Sequence, residues 1–509
     1  MNTLLAHGVG GREDLPLPFG WAVAGAAFAV LVSFVALGLL WTTPRLDGAR
    51  SGRPLPAAVD RALDSAAFRW LKRVLTLLIT GYLVLVLVFG KDDADNPLPW
   101  LVYVFLWVGL VVVSVLFGPV WRQLNPLRAI HAGINRLARL DPEEGLRPLP
   151  TGIGYWPAAL GLFAFTWIEL IYPDNATLTT FRVMIGLYVV LHLFAGFLYG
   201  AAWFDRADAF ETWSGLFGRF SVLGRRADGS RVLRSPLAGL DALEPAPGLI
   251  ATVMVMLGST AYDGFSGSPH WQTFVQSATA PRMLLETGAL LGVILLLTAL
   301  YVACTTMAGR LAGRGIQETF ALAGSARGES GQGRPGQGNP GRGKFGQGNS
   351  GQGKFAQGRP GNERSGRGRS GQGKSGQQSS GRELSGRGMP EAFAHSVIPV
   401  ALGYVVAHYY TLFAYEGQRG LAKLGDPLSS GADWFGLADL TPNPAPITPG
   451  LVTAVQVLAV VLGHVVGVVL AHDRAVRLFP RTAAIVGQLP LLVLMITLTC
   501  TGLILLFAA

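Results

Sequence analysis

The sequence predicts an all-α polytopic membrane bundle of about ten transmembrane helices, with both termini on the outer side. Three observations predict it. Apolar runs recur along the whole chain, each long enough at 1.5 Å per residue to cross a hydrocarbon core. Half the residues are hydrophobic and only 14% are charged, with a mean hydropathy of +0.40, a composition foreign to a soluble enzyme of this size. The loops between the runs alternate in charge. Because the runs are continuous and do not alternate apolar with polar, a closed β-barrel is excluded.

Residues 1–19 read as an external tail. Leu4 to Gly8 fits either a short N-terminal tail or the remnant of a signal peptide processed before His7. Seven spans follow within 20–322, at 20–41, 71–90, 99–118, 154–172, 181–204, 248–265 and 283–308; three more lie within 392–509, at 392–414, 450–471 and 483–507. Arg45, Arg50, Arg53, Arg61, Arg69 and Lys72 follow the first span, whereas Lys91-Asp92-Asp93-Ala94-Asp95 follows the second. The loops after the third, fifth and ninth spans are again arginine-rich, and Asp174 follows the fourth. Every second loop is basic, so those loops are assigned to the cytoplasm.

Residues 323–391 form a cytoplasmic loop built on a five-residue unit such as Gly331-Gln332-Gly333-Arg334-Pro335. Without apolar side chains it is expected to be disordered. Its core, 326–390, carries twelve Lys and Arg against Glu329, Glu363 and Glu383, so it holds nearly all of the chain's net charge of +10. Contact with RNA or anionic lipid through that charge is one reading, and a tolerated repeat expansion is the other. Only Phe345 and Phe355 interrupt the repeat, so no specific nucleic-acid partner is expected. The bilayer itself is the expected partner. Cys304 and Cys500 fall at opposite depths, roughly 20 Å apart, and are not expected to pair.

Ionisable groups inside a membrane are costly and mark candidate sites. Glu169 on the fourth span, Asp263 on the sixth, Glu286 on the seventh, and His408 with Glu416 on the eighth share one depth near the outer surface. Tyr404, His408, Thr411 and Tyr415 form one stripe of their helix, and Ser259 shares a face with Asp263. Carboxylates beside an imidazole suit acid–base work on a small molecule or a divalent metal, with Glu169, Asp263 and His408 as catalytic candidates and Asp263, His408 and His192 as metal ligands. For Glu286 and Glu416 the alternative is simple exposure to water. His192 and His464 sit mid-membrane beside glycines at small-residue spacing, as ligands, relays or interhelical hydrogen bonds. His131, His395 and His472 are expected to be solvated. No metal-protease, paired-cysteine, nucleophile-elbow or P-loop pattern accompanies these groups.

Three further stretches look structured. Asn125-Pro126 reads as a helix start. Phe210, Trp213, Phe217 and Phe220 lie at helical spacing, as in a helix resting in the inner interface. Gly425 to Gly436, with Trp434 and Phe435, reads as an apolar-centred outer loop able to act as a lid.

Ala6-His7-Gly8 with Asp14-Leu15-Pro16, Trp121 with Asn125-Pro126, Trp167 through Pro173, Ser259 through Phe265, Ala407-His408-Tyr409-Tyr410, and Asp426-Pro427 with Asp433 through Gly436 occur in that order. Together they resemble a family of bacterial, largely actinobacterial, membrane proteins labelled fenitrothion hydrolase-like, with the repeat peculiar to this chain. The resemblance implies a bacterial plasma-membrane protein and hydrolysis of an organophosphorus ester, and it supplies no catalytic residues. Three functions therefore stand: a membrane-embedded hydrolase with an outward-facing polar cavity, a transporter or metal-handling protein using the same groups, and a structural or assembly protein. An enzyme site would be closed on the cytoplasmic side; a transporter would continue its polar residues through the inner half, where Gln456 and His464 lie.

Overall fold

The computed structural model describes residues 18–329 and 388–507, and of 315–329 the backbone alone. The expected external tail, to residue 17, and the repeat over 330–387 lie outside the described residues. Twelve helices organise the rest: α1 (Phe19–Leu40), α2 (Ala66–Phe89), α3 (Trp100–Phe117), α4 (Pro126–Leu137), α5 (Trp156–Leu170), α6 (Leu178–Tyr199), α7 (Ala209–Phe217), α8 (Leu249–Ser266), α9 (Arg282–Glu329), α10 (Ile398–Lys423), α11 (Pro449–Leu478) and α12 (Leu489–Leu506). All but α4 and α7 match predicted spans. Among the described residues nine are long and apolar enough to cross a membrane. The fourth predicted span, α5, is shorter at 15 residues.

Local chemistry starts several helices where the sequence indicates. Asn125 caps α4, its side chain accepting from the backbone of Leu127 and Arg128, with Pro126 in the first turn. Ser65 and Thr177 cap α2 and α6 in the same way. The first ten residues of α3, Trp100–Gly109, are wound as a π-helix, a rare winding that widens the helix and redirects its side chains.

The loops sort by charge. On one face the loop after α1 supplies β1 (Arg53–Pro54), which pairs antiparallel with β3 (Arg231–Leu233), itself paired antiparallel with β2 (Leu223–Arg225), in the order β1-β3-β2. Asp241 accepts from Gly48 N at 3.0 Å and pairs with Arg474 and Arg477, while Asp473 accepts from Trp41 Nε1 and Arg45 N. Three basic segments are thereby tied together. On the opposite face Asp92 accepts from Leu178 N, Asp95 pairs with Lys423, and Lys91 donates to Ser429 O. The alternation read from loop charge is the alternation the fold adopts.

Helix α8 lies at the centre, 72% buried over its apolar window, and α2 at the rim, 11% buried. Exposed Leu77, Leu78 and Phe89 on α2 and Phe28 and Leu39 on α1 are the apolar faces a bilayer would cover. α10 and α11 approach backbone to backbone: a Cβ at Gly403 would stand 2.4 Å from Ala459 O, at Gly463 2.6 Å from Pro399 O, and at Gly467 2.7 Å from Ser396 O. Across the insert, Tyr301 of α9 donates to Pro390 O at 2.6 Å, and Gly309 packs on Met389.

The structure corrects four expectations. The aromatic helix α7 does not lie in an interface: it is inserted into the bundle, with Trp213 and Phe217 fully buried and Trp213 stacked on Trp107 of α3 at 3.9 Å. Aromatic spacing alone cannot separate those two settings. His131, His395 and His472 are buried rather than solvated. His131 meets Gly196 O, and His472 meets Trp41 O and Gln488. Gly196 and Gly200 do not receive another span; they admit Phe204, His131 and the backbone of Glu143. Trp434 and Phe435 stand more than half exposed, so their loop has no apolar centre. Cys304 and Cys500 are both free.

Candidate functional site

An aspartate in an otherwise apolar central helix must find donors, because an unpaired buried carboxylate is prohibitively costly. Asp263, on the last turns of α8, finds them on α10. His408 Nε2 lies 2.9 Å and Tyr409 Oη 2.8 Å from the same oxygen, Asp263 Oδ2. Neighbours in sequence point about 100° apart on a helix, so His408 and Tyr409 straddle the carboxylate from two directions. Asp263 is 6% exposed, and the His408 side chain 9%.

Small residues make room for this pairing. A Cβ at Gly264 would fall 2.9 Å from Tyr404 Oη and 3.8 Å from His408 Nδ1. Tyr404, one turn below His408, lies nearly parallel to it, with 10° between ring planes and 6.3 Å between centroids. Gly502 of α12 lets the Tyr404 ring settle against that helix. Near the pair, Tyr404 Oη and Ser259 Oγ are buried without a hydrogen-bond partner. Glu169, at the end of α5, lies within electrostatic reach of Asp263, and its Oε2 is likewise buried without a partner. Its backbone is fixed by Asn175, whose carbonyl in turn accepts from Tyr103 Oη at 2.8 Å.

The structure thus joins Asp263 directly to His408 and sets Glu169 beside them. It does not bring His192 there. That ring lies against Tyr188, Trp203 and Phe204, towards the basic-loop face, with Nδ1 on Tyr188 O. Among the described residues no three His, Cys, Asp or Glu side chains converge as metal ligands, so the expected set of Asp263, His408 and His192 does not form. Glu286 and Glu416, 5% and 3% exposed, do not face water. Arg282 holds the first; Trp100 Nε1 and Arg419 hold the second. Two small cavities, one beside Thr305, Met389 and Phe393 and one beside Met254, Tyr301 and Met495, are apolar-lined and include neither Asp263 nor His408.

A second polar centre escaped the reading of the sequence. Asp208 caps α7 through Phe210 N and Glu211 N, and also accepts from Tyr188 Oη and Asn125 Nδ2. Glu211 is paired with Arg128 at 2.6 Å, and Arg128 also reaches Asp205. Burial raises the Glu211 carboxyl above its ordinary range, against the lowering effect of Arg128 and Asn125. The spacing Asp208-x-x-Glu211 before an aromatic run was the available signal. Asp208 and Glu211 both have their donors, so this centre fastens α4, α6 and α7.

Compared with protein-family models, with curated proteins and with solved structures, the chain matches none of them.

Proposed function

We propose that this multi-pass membrane protein is a membrane-embedded hydrolase of phosphorus or carboxylic esters, acting from the acidic-loop side. The observation that carries the reading is the Asp263–His408 pair. With Asp263 accepting from Nε2, the imidazole is held in the tautomer whose Nδ1 is the base. That nitrogen takes a proton from water as the water attacks the ester centre. Asp263 stabilises the resulting imidazolium, and Tyr409 fixes the carboxylate. Tyr404 Oη, lacking a partner, donates to the oxygen on which charge develops. The fenitrothion hydrolase-like resemblance points to the same substrate class and to a bacterial plasma membrane.

The test is p-nitrophenolate release from an aryl phosphorothioate and an aryl carboxylic ester by the protein in nanodiscs. Asp263→Asn and His408→Ala are each expected to lower kcat by about 10³-fold or more. Tyr404→Phe should lower it about 10- to 100-fold, with KM little changed. Hydrolysis at the wild-type rate in folded Asp263→Asn would sink the proposal.

A further inference from the structure

Buried polar atoms without partners extend beyond the surroundings of the Asp263–His408 pair. On α11, Thr453, Gln456 and His464 fall within one sector at about 100° per residue. They are 1%, 3% and 3% exposed, and Thr453 Oγ1, Gln456 Oε1 and His464 Nε2 each lack a hydrogen-bond partner. On α10, Thr411 Oγ1 and Tyr404 Oη are in the same condition, and so is His395 Nε2 just before that helix. Glycine contacts set the register between the two helices. Gly403 faces Ala459 and Gly463, which places Tyr404 in depth between Gln456 and His464; Gly467 faces Ser396, which places His395 below His464. At the foot of the line His472 contacts Gln488 and Trp41 O beside the basic loops. From Thr453 to His472 the helix rises about 28 Å, close to the thickness of the hydrocarbon core.

We propose that this seam between α10 and α11 is a proton-conducting file joining the Asp263–His408 pair to the basic-loop face. Six unpartnered polar atoms, three on the α10-facing side of α11 and three on or just before α10, carry a free-energy cost that a thread of hydrogen-bonding water would remove. At Gly403, Gly463 and Gly467 the backbones come too close to let an organic solute pass. No set of metal ligands occurs along it among the described residues. What fits is a proton, taken up from water and given back to it at Nε2 of His464, whose Nδ1 is held on Val460 O, and at Nε2 of His395. No bond other than those to the proton changes. The transferred charge requires a counter-ion flux, which the bilayer must supply by another route. The inference goes beyond the hydrolase reading and stands without it.

The experiment uses the full chain in liposomes loaded with a pH-sensitive dye, with a potassium diffusion potential set by valinomycin. Wild type is expected to acidify or alkalinise the lumen according to the sign of the potential, at least tenfold faster than protein-free liposomes. His464→Phe and Gln456→Leu, each checked for folding by gel filtration, are expected to cut that rate at least tenfold while ester hydrolysis in nanodiscs is retained. His192→Phe, outside the seam, should conduct as wild type. Flux no faster than in protein-free liposomes, or flux unaltered in both folded seam variants, overturns the proposal. Should one seam variant fail to fold, the other decides.

Discussion

At the scale of single residues, the setting of a candidate group is decided by what a second helix presents to it. Asp263 and His408 were legible because ionisable side chains stand out in apolar runs. Their pairing was not, because spacing along one helix says nothing of what faces it. His192 shows the same limit: flanked by glycine spacing it resembled a ligand, yet three aromatic residues enclose it. His131 carries a consequence for pH. Burial holds its imidazole below the usual histidine value, the charge of Arg128 adding to the effect against the raising influence of Gly196 O and Glu143. A lowered folded-state value means that the unfolded chain binds the proton more readily. The stabilisation is therefore complete above about pH 6.5 and is lost as pH falls through the lowered value. The melting temperature in nanodiscs should fall between about pH 7 and pH 5, and less steeply in His131→Gln, whose amide still reaches Gly196 O. An identical fall in both proteins would show that His131 is not the titrating group.

Among the elements, the long helices were legible because a bilayer demands one property, apolarity sustained over about 20 residues. The start of α4 was legible because Asn-Pro states a cap in two letters. Helix α7 was not: an aromatic face at helical spacing satisfies a lipid interface and a protein core equally. Its burial rests on Trp213, whose indole stacks on Trp107 and donates to Trp107 O at 3.1 Å. Trp213→Ala should therefore cost about 3–5 kcal/mol, read from denaturant unfolding in mixed micelles. A helix resting on the interface would lose well under that, so a change below about 1 kcal/mol would return α7 to the membrane surface. The π-winding of Trp100–Gly109 left no readable trace in the sequence. A Cβ at Gly420 of α10 would stand 2.9 Å from Phe105 and 3.0 Å from Trp100 of that segment, so the glycine is what lets them pack there.

For the whole molecule, charge sorting proved sufficient to thread the chain, since loops of like charge do gather on one face. The ties among those loops, Asp241 with Arg474 and Arg477 above all, were not legible, because they join residues more than two hundred positions apart. The same reasoning bears on the join between α9 and α10. Tyr301 already grips Pro390, and Gly309 already seats Met389, on either side of the repetitive insert. The peptide chain linking them adds proximity to partners that recognise each other through their own surfaces. Two polypeptides, one ending near residue 329 and one beginning near residue 388, should therefore find each other when co-expressed and purify through a tag on either piece. Failure of an otherwise inserted pair to co-purify would mean that the covalent link, and not the interface, keeps this gene in one reading frame.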